Sequence, residues 1–299
     1  MISRRSALLT PLALAAPVAA KPAASGMTLC MHQGTSRAAG YRKSLEGWAK
    51  AGITQVELAD GLIEEFLKVD TLAAAGRIVK DLGLTAVSGQ AGVTELWLPG
   101  PNRARLLDSW KIRCERFATL GVPRLYSPSM TTRKITADDY KGTPDCIREA
   151  GEAAKQFNIT GMIEFTRTST HLQTLPTTLR MIREANHPNI RPMMDFFHFW
   201  SGLNKFEDLD LLQPGELAHA HFQDVADMPR ELFDNNSRLI PGDGISPLTR
   251  ILRKLAEKKY AGSLSVELFR PEIVNADPFT MATQIRSKAG AVLRQAKVV

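Results

Sequence analysis

Three carboxylates and a pair of histidines close short apolar runs in the second half of this chain. The runs are Gly161-Met162-Ile163-Glu164, Arg191-Pro192-Met193-Met194-Asp195, His219-Ala220-His221 and Ser265-Val266-Glu267. A carboxylate at the end of an apolar run is costly to bury unless it is ion-paired or bound to a metal. One such end fits an ordinary salt bridge. Four on successive strands converge on a single point. Three carboxylates and an imidazole form a hard, oxygen-rich donor set, which suits Mn²⁺, Mg²⁺, Co²⁺ or Fe²⁺ better than a structural zinc.

The elements that must position these ends repeat along the chain: a short β-rich run, a turn, then a longer segment of helical period. Strands are expected at 27–33, 53–58, 84–88, 124–127, 159–165, 190–195, 217–222 and 263–268. Between them, 103–120 carries Leu106, Leu107, Trp110, Cys114, Phe117 and Leu120 along one helical face. Ser246 and Pro247 read as the N-cap and first residue of a helix over 248–260. Gly83, Gly121 and Gly262 each stand a few residues before a strand, as helix-ending glycines do. Eight such units imply a parallel sheet with helical crossovers, closed into a single (β/α)8 TIM barrel. A doubly wound sheet would want a Gly-rich phosphate turn after its first strand, and Met31-His32-Gln33-Gly34-Thr35 lacks that spacing. Barrel chemistry gathers at the C-terminal ends of the strands, where these carboxylates fall.

Composition agrees with a packed globular protein: 299 residues, 44% hydrophobic and 23% charged. Thirty-eight basic against 31 acidic residues give +7 without a run of cations, which argues against a nucleic-acid partner. Cys30, Cys114 and Cys146 are odd in number and widely spaced, so they read as buried apolar residues. Residues 1–20 have a different character. Arg4 and Arg5 precede an apolar stretch of about ten residues and a small-x-small end at Ala20, the layout of an export signal. The arginine pair resembles a twin-arginine signal. The expectation is a leader over 1–20, a barrel domain over 21–299, a periplasmic location and no membrane anchor after cleavage. Without Arg4 and Arg5 the count is 36 basic against 31 acidic, or +5.

Asp195-Phe196-Phe197-His198 reads as D-x-x-H, and His219-Ala220-His221-Phe222-Gln223-Asp224 as H-x-H-x-x-D. Pro241-Gly242-Asp243-Gly244 follows, then Tyr260-Ala261-Gly262 ahead of Val266-Glu267. In this order the pieces resemble the xylose isomerase-like sugar isomerase/epimerase superfamily of TIM barrels. The resemblance implies one divalent ion, Mn²⁺ foremost with Co²⁺, Mg²⁺, Fe²⁺ or Zn²⁺ as alternatives. Its ligands would be Glu164, Asp195, His221 (the second histidine of its strand) and Glu267. It also implies a carbohydrate-like small-molecule substrate and is compatible with a homo-oligomer. A metal that polarises a carbonyl makes the proton on the neighbouring carbon acidic enough for a carboxylate to remove. Glu164 and Glu267 are the expected catalytic pair, one taking the proton and the other returning it. Isomerisation, epimerisation and elimination share that machinery.

His198, the histidine of D-x-x-H, is expected to contact substrate or support the site. Glu57 ends strand two where the superfamily often places a substrate-contacting glutamate. His32 ends strand one facing the same mouth, and His219 is a candidate lining residue. The usual downstream arginine is replaced by Asp227-Met228-Pro229, leaving Arg230 and Arg238 as candidate clamps. Trp97, with Phe196, Phe197, Phe199 and Trp200, suggests an aromatic mouth and leans toward elimination from a keto-inositol or 3-keto-glycoside. His171 and His187 read as surface residues. An endonuclease-IV-like nuclease shares D-x-x-H but needs further histidines from early strands, and none occurs between His32 and His171. A non-catalytic periplasmic binding module is the remaining alternative.

Overall fold

Alternation of short β runs with amphipathic helices closes eight parallel strands into a barrel. This computed structural model describes residues 26–299, so the expected leader lies outside the described residues. The strands are β1 (Thr28–His32), β2 (Gln55–Ala59), β3 (Thr85–Gln90), β4 (Arg124–Pro128), β5 (Thr160–Glu164), β6 (Ile190–Asp195), β7 (His219–His221) and β10 (Ser263–Val266). They close in the order β1-β10-β7-β6-β5-β4-β3-β2, and each overlaps an expected run. Two further short strands, β8 (Asp224–Val225) and β9 (Arg238–Leu239), pair antiparallel above the barrel and were not anticipated.

Helices α1 (Gly40–Lys50), α2 (Asp60–Leu67), α3 (Leu72–Asp81), α4 (Arg103–Thr119), α5 (Ala137–Lys155) and α6 (Leu175–Ala185) precede the short α7 (Phe196–Ser201). After the β8–β9 pair come α8 (Leu248–Glu257), α9 (Pro271–Val274) and α10 (Pro278–Ala296). The principal core lies between strands and helices, where Trp48, Trp110, Phe117 and Phe165 are fully buried. Each such side chain contributes roughly 1.5–3 kcal/mol by leaving water. Gly89 on β3 is required by this packing, because a Cβ there would overlap the Phe117 ring. Inside the barrel, Tyr126, Met162 and Met193 form a second, smaller cluster. Strand alternation sets this floor one step below Glu164 and Asp195.

Local expectations mostly hold, with informative exceptions. Gly83 and Gly121 adopt positive φ after α3 and α4. After α8 that conformation falls instead on Lys259, and Gly262 lies against the Tyr260 ring. Pro247, not Ser246, is the cap residue of α8, no side chain caps the helix, and the Ser246 amide donates instead to Asp224 at 2.8 Å. All three cysteines are free and buried, and burial pushes the Cys114 thiol up to about 12. Among the described residues no helix is long and apolar enough to cross a membrane.

His171 corrects the surface reading. It is 1% exposed, its Nε2 lies 2.9 Å from the Thr143 hydroxyl, and its ring meets Tyr140 at 5.0 Å. His187 is half-buried, 2.9 Å from Glu152. Burial pushes His171 down to about 4. The unfolded chain therefore takes up this proton first as pH falls, and stability drains between about pH 6.5 and 4. The shift amounts to about 3 kcal/mol at most. Urea unfolding of wild type and His171→Gln across that range should show the wild type losing more stability. Parallel curves would refute the assignment.

Candidate active site

The four strand ends meet. Glu164 Oε1, Asp195 Oδ2, Glu267 Oε2 and His221 Nδ1 all lie within 4.8 Å of one another, and all four residues are buried. From His221 Nδ1 the separations are 3.1 Å to Glu164, 3.5 Å to Asp195 and 3.4 Å to Glu267. Glu164 Oε1 and His221 Nδ1 are wholly buried and, beyond their mutual 3.1 Å ion-pair contact, join no hydrogen bond. Two carboxylates about 4 Å apart repel by on the order of 4 kcal/mol at the effective dielectric of a protein site. Burial, then the neighbouring Asp195 and Glu267 charges, push the Glu164 carboxyl up to about 7, against the pull of His221. Despite the cost of burial, the surrounding carboxylates drive the His221 ring well above its usual value. The geometry calls for positive charge at one point, and unpaired oxygen and nitrogen donors facing that point fit a divalent cation.

Each member is held from behind. Asp195 caps α7 by accepting from the His198 amide through Oδ1 (2.8 Å), which leaves Oδ2 facing the centre. Glu267 Oε1 accepts from the Tyr126 hydroxyl (3.3 Å), leaving Oε2 inward. His32 Nε2 lies 3.3 Å from the same hydroxyl, while its Nδ1 accepts from the Gly34 amide. His221 Nε2 and His219 Nε2 both reach Glu57 Oε2, at 3.0 and 3.1 Å, and Ser88 donates to Glu57 Oε1 at 2.7 Å. Although fully buried, Glu57 is held well below the usual carboxylate range by the two imidazoles.

Above the barrel, β9 delivers Arg238. Its Nη2 donates to Asp195 Oδ2 (3.2 Å) and lies 3.2 Å from His198 Nε2 and 3.8 Å from Glu267 Oε2. The guanidinium packs over the Phe197 and Phe269 rings at 4.3 and 4.8 Å. The stem below it is fixed by Asp224, whose carboxylate accepts from the amides of Val225, Gly242, Gly244 and Ser246 at 2.8–3.1 Å. Burial, reinforced by the Arg238 charge, pushes His198 down to about 3, so the ring is neutral.

The family model described as "Xylose isomerase-like TIM barrel" matches residues 45–293. The chain belongs to this family. An inosose isomerase from Halalkalibacterium halodurans is 27% identical over 261 residues, covering 82% of this chain and 89% of that protein. A 3-dehydroshikimate dehydratase from Bacillus anthracis is 34% identical over 130 residues, 40% of this chain and 46% of its own. Among solved structures, the IolI protein with a bound zinc atom superposes with a TM-score of 0.84 at 21% identity, covering 90% of this chain and 99% of that one.

For a xylose isomerase-like barrel, several expected substrate contacts fall elsewhere. Glu57 does not face the mouth, because its oxygens are taken by Ser88, His219 and His221. His219 is fully buried in that same contact, and His32 stands behind Glu267. Trp97 is also buried: its indole donates to the Ser127 carbonyl at 3.0 Å and its ring packs on Trp110. Phe196 and Phe199 belong to the core, and Phe197 lies beneath Arg238, so no aromatic mouth is built from them. Arg230 is exposed over Trp200, whereas Arg238 reaches the centre. His198 stays at the site, touching Arg238 and accepting from the Arg167 amide.

Sequence reasoning missed Tyr126 and Ser88. Inward parity on β4 and β3 is the signal that points to them once the barrel is accepted. Asp224→Ala should leave several amides unpaired and cost roughly 3 kcal/mol of stability. A denaturant midpoint unchanged from wild type would overturn this anchoring role.

Proposed function

We propose that this protein is a divalent-metal-dependent isomerase or epimerase acting next to the carbonyl of a polyhydroxylated, keto-sugar or polyol-derived compound. The observation that carries this reading is the buried convergence of Glu164, Asp195, His221 and Glu267, in which Glu164 Oε1 and His221 Nδ1 have no hydrogen-bond partner outside the cluster. Similarity to an inosose isomerase over most of both chains supports the same class. A bound divalent ion would be held by these four residues and would act as a Lewis acid on the substrate carbonyl.

The chain supplies the proton chemistry. Glu164, whose Oε1 stands 3.1 Å from His221 at the centre, is placed to take a proton from the carbon beside the carbonyl. Glu267, with Oε2 at 3.4 Å from His221 Nδ1 and Oε1 held by Tyr126, is the group that returns a proton. Return to the neighbouring carbon isomerises, and return to the same carbon from the opposite face epimerises. Arg238, with its Nε buried and unpaired, and the neutral His198 stand beside the pair to hold substrate oxygens. A lyase using the same site is the second reading, and the similarity to a 3-dehydroshikimate dehydratase favours it. The leader-like pattern of residues 1–20 supports export by a twin-arginine route to the periplasm.

Glu164→Gln and Glu267→Gln should each lower kcat on an inosose or keto-sugar substrate by about 10²–10⁴-fold. Either variant turning over at the wild-type rate would exclude the two-carboxylate scheme. Elemental analysis should find one Mn, Co, Fe, Mg or Zn per wild-type chain and much less in His221→Ala. Full occupancy in His221→Ala with loss in His219→Ala would transfer the ligand role to His219.

A further inference from the structure

The two nitrogens of His221 face different charges. Nδ1 looks into the carboxylates of Glu164, Asp195 and Glu267, and Nε2 looks down at Glu57. To bind a metal the imidazole must be neutral, with one ring proton, and only the nitrogen without it can be the ligand. The three upper carboxylates, at 3.1–3.5 Å, would draw that proton onto Nδ1 and close the site. Glu57 opposes them from 3.0 Å.

We propose that Glu57 is a positioning residue for metal binding: by accepting the Nε2 proton of His221 it keeps the Nδ1 lone pair aimed at the ion. This rests on the reading above that His221 is a metal ligand. Glu57 reaches His221 across the barrel from β2 to β7, with no exposure at either side chain. The Ser88 hydroxyl at 2.7 Å and His219 Nε2 at 3.1 Å complete its shell, so the carboxylate is fixed in place and aimed at His221. The group Glu57, His219 and His221 could itself hold an ion, but then the neutral His221 ring would have to lose its one remaining proton to bridge two metals. The separations of 3.0 and 3.1 Å are those of N–H···O bonds.

The test measures Mn²⁺ affinity by competition with a fluorescent chelator, metal-to-protein ratio, and the thermal midpoint of metal-free protein. Glu57→Gln keeps an acceptor oxygen without the charge and should weaken Mn²⁺ binding about 10-fold, while Glu57→Leu, which removes both, should weaken it about 100-fold. A lower metal-free midpoint with unchanged affinity would make Glu57 a packing residue only and overturn the inference. Two ions per wild-type chain, with one lost in Glu57→Leu, would make Glu57 a ligand and also overturn it. If Glu57→Leu does not fold, the near-isosteric Glu57→Gln decides alone. Wild type that takes up no Mn²⁺, Co²⁺ or Zn²⁺ would remove the metal reading itself, whereas a binding wild type with an equally tight Glu57→Gln and Glu57→Leu would remove only this inference.

Discussion

Mutual repulsion of Glu164, Asp195 and Glu267 is the constraint around which the rest of the molecule is arranged. Left to themselves, three buried carboxylates this close would take up protons or move apart. The barrel prevents separation because each is fixed at the end of a hydrogen-bonded strand. What remains is compensation by charge. Arg238 supplies one cation from above, and His221 offers a second group that accepts positive charge from within. The set is strained toward a cation by construction, and the same strain holds one carboxyl near neutral pH.

Rigidity here comes from a division of labour within single side chains. Asp195 spends one oxygen on the first turn of α7 and presents the other to the centre. Glu267 is split in the same way between Tyr126 and the centre. Such divided carboxylates cannot rotate freely, which fixes the direction of the lone pairs. Orientation of this kind is what allows a buried donor set to be pre-organised rather than assembled on binding.

Much of this architecture is legible in the chain itself. The carboxylates closing 159–165, 190–195 and 263–268 are visible because a charge at the end of an apolar run is a local signal. Parity along the strand then carries it into the barrel. Glu57, His219 and Trp97 were misplaced because a strand end looks alike whether its side chain meets substrate or the underside of another residue. That difference depends on how far the side chain sits from the rim, which pairing across the barrel decides. Arg238 could not be separated from Arg230 by spacing, since the two differ through a two-residue strand pairing set by Asp224. His171 looked superficial because its partners, Thr143 and Tyr140, come from the preceding helix.

The β8–β9 stem separates what is fixed from what is free to vary. Asp224 secures its base, Arg238 emerges from its return strand, and the intervening residues from Asp227 to Asn236 are exposed apart from Phe233. Arg167 touches this excursion only through the carbonyls of Arg230 and Phe233, so it recognises backbone rather than side-chain identity. Two side chains of the excursion are nonetheless anchors, since Asn235 Oδ1 accepts from the Arg238 guanidinium at 2.7 Å and Phe233 packs on the Phe197 ring beneath it, and it is the exposed remainder whose length and sequence can change while the guanidinium stays in place. The fold in this way carries a module through which descendants of one barrel could acquire new substrates without rebuilding their chemistry.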